Sequence, residues 1–234
     1  MPVPSALIVP VGDYQTTATL YEGAGLRLGA TLLLAHGAGA PQTHPFMVRF
    51  AEGLSARGLD VATFNFLYTE SKRRLPDPAA RLERCYRAVV EAVAARDGWA
   101  ENRLFLGGKS MGGRIASHLA AASDGLAARM NGLVLLGYPL HPPGKPDTPR
   151  VAHLARIRIP VLIVQGERDP FGSPLELAPH FGAIPGRVTV HAVANGDHSL
   201  APPKRTGPPV DGVYAGLHDV IATWVTTCAS SADI

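Results

Sequence analysis

A serine flanked by glycines stands where an apolar stretch gives way to a helical pattern. Residues 104–106 are apolar, the motif Gly108-Lys109-Ser110-Met111-Gly112 follows, and Ile115 and Leu119 then recur at helical spacing. In a sharp strand-to-helix turn the serine hydroxyl stands clear of the sheet edge. The residues two before and two after it must be small, because strand and helix nearly touch there. Gly108 and Gly112 meet this requirement, so the sequence predicts a nucleophile elbow with Ser110 at its tip.

Two side chains that could activate this serine follow later in the chain. Residues 160–164 read as a buried strand with Asp169 in the loop after it, and residues 187–191 alternate like a strand that precedes His198. A serine hydroxyl is a poor nucleophile near neutral pH, so an imidazole must take its proton during attack. A carboxylate then fixes the tautomer of the imidazole and stabilises the imidazolium. The sequence therefore predicts a catalytic triad of Ser110, Asp169 and His198, in that chain order.

Two other carboxylates compete with Asp169 for the role of triad acid. Asp197 is adjacent to His198, but neighbouring side chains usually diverge, so Asp169 in its post-strand loop is preferred. Glu167 is expected to be exposed to solvent or to lie behind the site. Most of the remaining histidines are interpreted as surface or packing residues: His44, His118, His153, His180, His191 and His218.

A loop of small residues upstream predicts an oxyanion hole. Residues 32–35 read as a strand, and the stretch His36-Gly37-Ala38-Gly39-Ala40 follows directly. Small side chains let backbone N–H groups approach a substrate carbonyl oxygen, and the Ala38 N–H with the Met111 N–H would hold the developing oxyanion. The His36 side chain is expected to support the loop rather than to react. Two glycines of this loop are expected to border the substrate: Gly37 and Gly39.

Basic residues lie in two loops that follow strands of the expected sheet. Arg73 and Arg74 come after the strand that ends near Phe66, and Lys145 comes after the strand that ends near Leu136. Both loops should therefore lie on the side of the nucleophile. These cations would favour an anionic substrate, such as an ester that bears a carboxylate or a phosphate. The alternative is a solvated loop whose charges point outward. Two further candidates for substrate contact lie in the second loop: Tyr138 and His141.

Residues 138–158 are the place where a cap could be inserted between the late strands. The segment is short and rich in proline, with room for one small helix. We therefore expect a minimal cap or none. The resulting open and shallow site would suit small ester groups better than long lipid chains.

The chain as a whole alternates strand patterns with helix patterns. This alternation predicts an α/β fold, with a mostly parallel central sheet of about eight strands and helices on both faces. An antiparallel pair over residues 5–11 and 17–21 opens the sheet. Asp77 and Ser173 are expected to cap the starts of two helices. Every predicted catalytic loop leaves the carboxyl end of a parallel strand, where open α/β sheets place their ligand crevice.

Composition favours one domain over residues 1–234. Hydrophobic residues make up 46% of the chain and charged residues 18%, so a buried core is expected and disorder is not. The net charge of +3 is small and the arginines are dispersed, which argues against nucleic-acid binding. No apolar run reaches the roughly 18 residues that a membrane span needs.

The cysteines and the first residues of the chain lead to predictions about metal binding and cellular location. Cys85 and Cys228 are expected to be reduced and buried, and no spacing of cysteine and histidine indicates zinc or another metal. The first residues lack the basic and apolar stretches of a signal peptide, so a cytoplasmic protein is expected. The predicted chemistry requires no metal and no organic cofactor. Both a monomer and a homodimer are compatible with the sequence.

Four blocks of the sequence carry a family resemblance: LLAHGAG at residues 33–39, GGKSMGGR at 107–114, GYPLHPPGK at 137–145 and QGERDPFG at 165–172. With these blocks the chain resembles an α/β-hydrolase over essentially its whole length. It is similar to the small lidless members near the dienelactone-hydrolase-like proteins. More narrowly, it resembles a family of bacterial predicted hydrolases and a eukaryotic regulatory subunit of the nonspecific-lethal histone acetyltransferase complex.

The resemblance implies a serine-hydrolase fold with Ser110 as nucleophile, Asp169 as acid and His198 as base. Dienelactone hydrolases carry cysteine at the elbow where this chain has serine, so their substrate does not transfer. Two functions are compatible with the family resemblance. One is an enzyme that hydrolyses carboxylic ester or thioester bonds of a small molecule through an acyl-enzyme. The other is a catalytically inactive scaffold that binds a partner. The intact triad order and the oxyanion loop favour the enzyme.

Overall fold

Eight strands form one sheet in the part of the chain that the structure, a computed structural model, describes (residues 2–228). Their order across the sheet is β1-β2-β4-β3-β5-β6-β7-β8. The pairs β1–β2 and β2–β4 are antiparallel and the other pairs are parallel, as the alternation of patterns predicts. The strands are β1 Ser5–Val11, β2 Tyr14–Tyr21, β3 Ala30–Ala35, β4 Asp60–Phe64, β5 Arg103–Lys109, β6 Met130–Leu136, β7 Val161–Gly166 and β8 Val188–Val193.

Helices cover both faces of this sheet. Helices α3, α4 and α6 pack on one face, whereas α1 and α7 pack on the other. The mostly parallel sheet and the two helical layers confirm the predicted α/β fold. The helices are α1 Pro45–Ser55, α2 Leu67–Glu70, α3 Ala79–Ala94, α4 Met111–Ala120, α5 Leu126–Arg129, α6 Pro174–Phe181 and α7 Val210–Thr227.

The central strands are buried on both faces, which explains their unbroken apolar runs. In β3, Leu33 packs with the α3–α4 layer, whereas Leu32 and Leu34 pack with the α1–α7 layer. Strand β7 alternates in the same way, with Ile163 on the first face and Val164 on the second. This alternation holds the strand ends rigidly, and the loops that carry the site leave from those ends.

The two predicted helix caps have different outcomes. Ser173 caps α6 as expected, because its hydroxyl accepts from the Glu176 N–H at 3.3 Å while the Glu176 carboxylate accepts from the Ser173 N–H at 2.8 Å. The prediction for Asp77 is wrong, since α3 begins at Ala79 without a side-chain cap. The Asp77 carboxylate accepts instead from Arg73 Nη2 at 2.6 Å.

Between β6 and β7 the chain forms a single 3₁₀ turn, Leu154–Arg156, and no larger insertion. This confirms the expectation of a minimal cap. Cys85 and Cys228 are both buried and free, as predicted. Across residues 2–228, none of the helices combines the length and the apolar character needed to cross a membrane.

Candidate active site

Ser110 occupies a strained position between β5 and α4. Its backbone adopts φ 52° and ψ −116°, a conformation that side-chain-bearing residues rarely take. The turn is tight, because a Cβ at Gly108 would lie 2.5 Å from the Ala35 carbonyl oxygen and 2.7 Å from the Gly112 carbonyl carbon. A Cβ at Gly112 would overlap the same Ala35 oxygen. The small-residue requirement of the predicted elbow is therefore met by backbone contacts on both sides of the serine.

The three residues that the sequence singles out for the triad meet at the end of the sheet. His198 Nε2 lies 2.9 Å from Ser110 Oγ, and His198 Nδ1 lies 2.8 Å from Asp169 Oδ2. The Asp169 side chain is fully buried. An ionised carboxylate only accepts hydrogen bonds, so Nδ1 carries the imidazole proton and Nε2 faces the serine with its lone pair. This is the tautomer that can take a proton from Ser110.

A buried glutamine fixes the orientation of Asp169. Gln165 Nε2 donates to Asp169 Oδ2 at 3.0 Å and to the Gly172 carbonyl at 2.6 Å, while its Oε1 accepts from the Tyr138 N–H at 2.8 Å. The Phe171 N–H donates to the other carboxylate oxygen, Oδ1, at 2.9 Å. Sequence reasoning missed Gln165, although a lone amide within the apolar run of β7 was a usable signal.

The other two candidate acids, Asp197 and Glu167, accept hydrogen bonds from loop N–H groups instead. Asp197 Oδ1 accepts from the Ser199 N–H at 2.7 Å and from the Ala201 N–H at 3.1 Å, so it braces the turn that carries the histidine. Glu167 accepts from the Asn195 N–H at 2.9 Å. Of the three candidate acids, Asp169 alone makes a hydrogen bond to the imidazole of His198 among the described residues.

The loop after β3 is held by a neutral histidine. His36 Nε2 accepts from the Phe66 N–H at 3.1 Å, so its Nδ1 donates to the Gly37 carbonyl at 2.7 Å. Burial lowers the pKa of His36 to about 4, which keeps the ring uncharged. Tyr68 Oη donates to the Ala38 carbonyl at 3.0 Å. His36 thus contacts the backbone on both sides of the loop, and Tyr68 occupies the Ala38 carbonyl.

Two backbone N–H groups near Ser110 are available to a ligand. The Met111 N–H opens helix α4 and has no partner within the helix. No described residue accepts from the Ala38 N–H either. Ala38 and Ser110 line the same cleft, whereas Met111 is not among the residues that line it.

This nucleophile cleft has a volume of about 340 Å³. It brings together the predicted loop residues and the triad serine and histidine, and adds apolar side chains from α1 and from the loop after β7. The ring of Phe171 lies 4.3 Å from the ring of His198, centroid to centroid. The lining residues are Gly37, Ala38, Gly39, Ala40, His44, Phe46, Met47, Lys109, Ser110, Phe171, His198 and Ser199. A larger cleft of about 820 Å³ beside β8 and α7 is lined by neither Ser110 nor His198.

Several residues predicted to contact substrate lie elsewhere. Tyr138 is fully buried and its hydroxyl donates to the Arg150 carbonyl at 2.6 Å. His141 is buried against the start of α6, with Nε2 at 3.3 Å from Glu176 Oε1. Neither residue lines the nucleophile cleft, because the chain after β6 folds inward; their placement there is corrected.

The predicted basic residues are spread over different surroundings. Arg73 and Arg74 line a separate cleft of about 430 Å³ on the other side of the oxyanion loop, and Arg73 is already paired with Asp77. Lys145 is exposed and lines neither of these two clefts.

Lys109, directly before the nucleophile, is a buried cation that sequence reasoning did not single out. Its Nζ has no hydrogen-bond partner among the described residues. A Cβ at Gly137 would lie 2.9 Å from this Nζ and 3.5 Å from Asp169 Oδ2, so the ammonium lies in the neighbourhood of the Asp169 carboxylate. Burial lowers the pKa of Lys109 to about 8, and the Asp169 and Asp197 carboxylates partly oppose that shift.

Comparison with known proteins identifies the family and the fold of the chain. A family model described as an alpha/beta hydrolase domain matches residues 29–226. The chain belongs to this alpha/beta hydrolase domain family. Membership supports a hydrolase in general terms and does not specify the bond that is cleaved.

Solved structures of α/β-hydrolases share the fold. An alpha-beta serine hydrolase homologue from Coxiella burnetii is 17% identical, with a TM-score of 0.73 and coverage of 94% of this chain and 96% of that one. A dienelactone hydrolase from Anabaena variabilis is 18% identical, with a TM-score of 0.74 and coverage of 95% and 96%. A serine hydrolase without a lid from Xanthomonas campestris is 19% identical, with a TM-score of 0.70 and coverage of 96% of each chain. These likenesses concern the fold, and they include the lidless architecture.

Proposed function

We propose that this α/β-hydrolase is a serine hydrolase that cleaves a carboxylic ester or thioester bond of a small molecule. The observation that carries the proposal is the unbroken contact from Ser110 Oγ through the His198 imidazole to Asp169 Oδ2, at 2.9 and 2.8 Å. Hydrogen-bond distances and a determined tautomer are what general-base activation of a serine requires.

The reaction follows from the positions of these atoms. Ser110 Oγ attacks the carbonyl carbon while its proton passes to His198 Nε2, and the carbonyl oxygen becomes an anion that the Ala38 and Met111 N–H groups stabilise. When the intermediate collapses, the carbon–oxygen or carbon–sulfur bond to the leaving group breaks and the leaving group takes the proton from His198. A water molecule then attacks the acyl-enzyme, with His198 again as base, and releases the acid and free Ser110.

The cleft supports a small acyl or alcohol group. Its apolar wall, with Phe46 and Met47 from α1 and Phe171 after β7, offers dispersion contacts to a short alkyl or aryl chain. The single 3₁₀ turn between β6 and β7 leaves the cleft uncovered from that side. A long lipid chain would extend beyond a volume of about 340 Å³ into solvent.

Arg74 is the cation through which an anionic ester would be preferred. Arg73 is neutralised by Asp77, whereas Arg74 shares its cleft and has no ion pair among the described residues. We expect Arg74→Ala to raise KM for a carboxylate-bearing ester more than for its neutral analogue, without lowering kcat. An equal KM ratio for the two esters in both proteins contradicts this preference.

A fluorophosphonate probe tests the proposed activity directly. We expect covalent labelling of the wild-type protein, none in Ser110→Ala, and strongly reduced labelling in His198→Ala. Ser199→Ala is the matched control, because Ser199 lines the same cleft, and it should label normally. Absence of labelling in folded wild-type protein contradicts the proposal and favours the inactive scaffold.

A panel of p-nitrophenyl esters and acyl-thioesters of increasing chain length identifies the bond and the acyl group. We expect the highest kcat/KM for short or aromatic acyl groups. A steady rise in kcat/KM up to long-chain esters contradicts the proposed small substrate.

A further inference from the structure

A further cleft, of about 510 Å³, is lined by residues of α3, of α4 and of the connection between β6 and β7. We call it the arginine cleft. It shares no lining residue with the nucleophile cleft, although the Arg114 N–H at its edge donates to the Ser110 carbonyl at 3.0 Å, one helical turn away. Its lining residues are Glu83, Arg114, His118, Ala121, Ala122, Pro149, Arg150, Val151, Ala152, His153 and Arg156.

Three arginines line this cleft, and none of them has a carboxylate partner among the described residues. None of the ion pairs within residues 2–228 includes Arg114, Arg150 or Arg156. Arg150 Nη1 donates to the Pro139 carbonyl at 3.4 Å, and Arg156 Nε donates to the Ala121 carbonyl at 3.3 Å. Both acceptors are neutral, so these two contacts do not neutralise the charges of Arg150 and Arg156.

The acidic side chain that lines the cleft is already engaged. Arg114 Nη1 can only donate, so at 3.3 Å it donates to His118 Nε2, and His118 Nδ1 then donates to Glu83 Oε1 at 2.8 Å. The cleft therefore holds three arginine charges against one carboxylate that is occupied by a neutral imidazole.

The second histidine adds no charge. Ser117 Oγ donates to the Arg114 carbonyl at 2.6 Å, so it accepts from His153 Nε2 at 2.7 Å. Burial is the largest cause that lowers the pKa of His153 to about 3, and the charges of Arg114 and Arg156 act in the same direction. The same crowding acts on the guanidinium of Arg114, whose pKa is lowered by burial and then by Arg150. Like charges gathered in a partly buried cleft destabilise the fold unless an anion joins them.

We propose that the arginine cleft is a binding site for a small phosphate monoester, distinct from the site of ester hydrolysis. Guanidinium groups from three arginines of one cleft could donate to several oxygens of a compact anion. A phosphate monoester offers three terminal oxygens and a charge near −2, whereas a carboxylate offers two oxygens and −1. The apolar side chains of Val151 and Pro149 in the same cleft can contact the organic part of the ester.

Titration calorimetry with phenyl phosphate tests the site, with inorganic phosphate and succinate as comparison ligands at equal ionic strength. We expect phenyl phosphate to bind at least about tenfold more tightly than succinate, because a single charge-assisted contact is worth about 1.4 kcal/mol or more. Inorganic phosphate should bind with intermediate affinity, since it lacks the apolar part.

Substitutions locate the binding and provide the control. Arg150→Gln and Arg156→Gln should each weaken phenyl phosphate binding about tenfold, whereas Arg205→Gln, an exposed arginine outside the cleft, should leave it unchanged. Circular dichroism confirms that each variant folds. No heat of binding, equal affinity in all variants, or succinate binding as tight as phenyl phosphate overturns the proposal. Binding is measured directly, so the outcome does not depend on whether Ser110 reacts.

Discussion

The nucleophile cleft and the arginine cleft share no lining residue, and they differ in the hydrogen-bond partners of their polar groups. In the nucleophile cleft, the side chains of Ser110, His198 and Asp169 are joined by hydrogen bonds, whereas the Lys109 ammonium has no hydrogen-bond partner among the described residues. In the arginine cleft, Arg150 and Arg156 donate to neutral carbonyl groups and form no ion pair among the described residues. A site that is complete before its ligand arrives is organised for reaction, whereas a site short of negative charge is organised to bind an anion.

The largest expected effect comes from removing one partner in the complete site. Asp169→Asn keeps the shape but offers His198 Nδ1 an amide, which favours the wrong tautomer, so kcat for an ester substrate should fall about 10⁴-fold. Asp197→Asn is the matched control and should lower kcat less than tenfold, about 1.4 kcal/mol in activation free energy. If the Asp197 variant loses as much kcat as the Asp169 variant, the assignment of the triad acid is wrong.

The next prediction tests whether the close backbone contacts at the elbow require glycine at position 108. Gly108→Ala places a Cβ 2.5 Å from the Ala35 carbonyl oxygen, so it should lower the free energy of unfolding by about 3 kcal/mol or more. Gly216→Ala in α7 has no atom within 4 Å of the added Cβ and should be neutral or stabilising by up to about 1 kcal/mol. Urea denaturation measures both. A Gly108→Ala protein of wild-type stability contradicts the tight elbow.

The substitution Lys109→Met removes the buried ammonium of the nucleophile cleft. The folded-state pKa of about 8 lies below the ordinary 10.5, so the unfolded chain binds this proton more tightly and the ammonium destabilises the fold below pH 8. At pH 7 the variant should be more stable than the wild type by about 1–3 kcal/mol. The difference should shrink as the pH rises from 8 towards 10.5. Chemical denaturation at pH 7 and pH 10 measures it, and a pH-independent difference contradicts the buried charge.

The smallest expected effect is the salt dependence of the melting temperature, which reports on the charges of the arginine cleft. Repulsion between exposed cations is screened by salt, so raising sodium chloride to about 0.15 M should increase the melting temperature of the ligand-free wild type by a degree or two. The double variant Arg150→Gln, Arg156→Gln should show a smaller increase. Equal salt responses of the two proteins would show that these charges do not repel one another appreciably.

Local spacing rules made the elbow and the sheet predictable. The glycines around Ser110 follow from the contact between strand and helix, and the apolar runs of β3 and β7 follow from burial on both faces. The positions of Asp169 and His198 relative to Ser110 were predictable because parallel strands end at the same edge of the sheet. The strand boundaries were less so: β2 begins at Tyr14, before the expected start at residue 17.

The features that the sequence did not predict depend on contacts that form only in the tertiary structure. Asp77 does not cap α3, because the Arg73 guanidinium takes its carboxylate. Tyr138 is buried, with its N–H donating to Gln165 of β7 and its hydroxyl donating to the Arg150 carbonyl, and both partners are distant in sequence. The arginine cleft escaped notice for the same reason: Arg114 and Arg150 are far apart along the chain, and no local pattern links them.

The short connection between β6 and β7 is a position where a segment could be inserted. The Leu140 carbonyl accepts from the Arg150 N–H at 2.7 Å, and the Tyr138 hydroxyl donates to the Arg150 carbonyl, so the base of the loop is clamped while residues 143–149 are exposed. Each doubling of a flexible loop costs only about 0.6 kcal/mol in closure entropy. A helical hairpin could be grafted at this tip to roof the cleft and give the scaffold selectivity for bulkier molecules, while the Gln165 amide keeps the reacting groups in register.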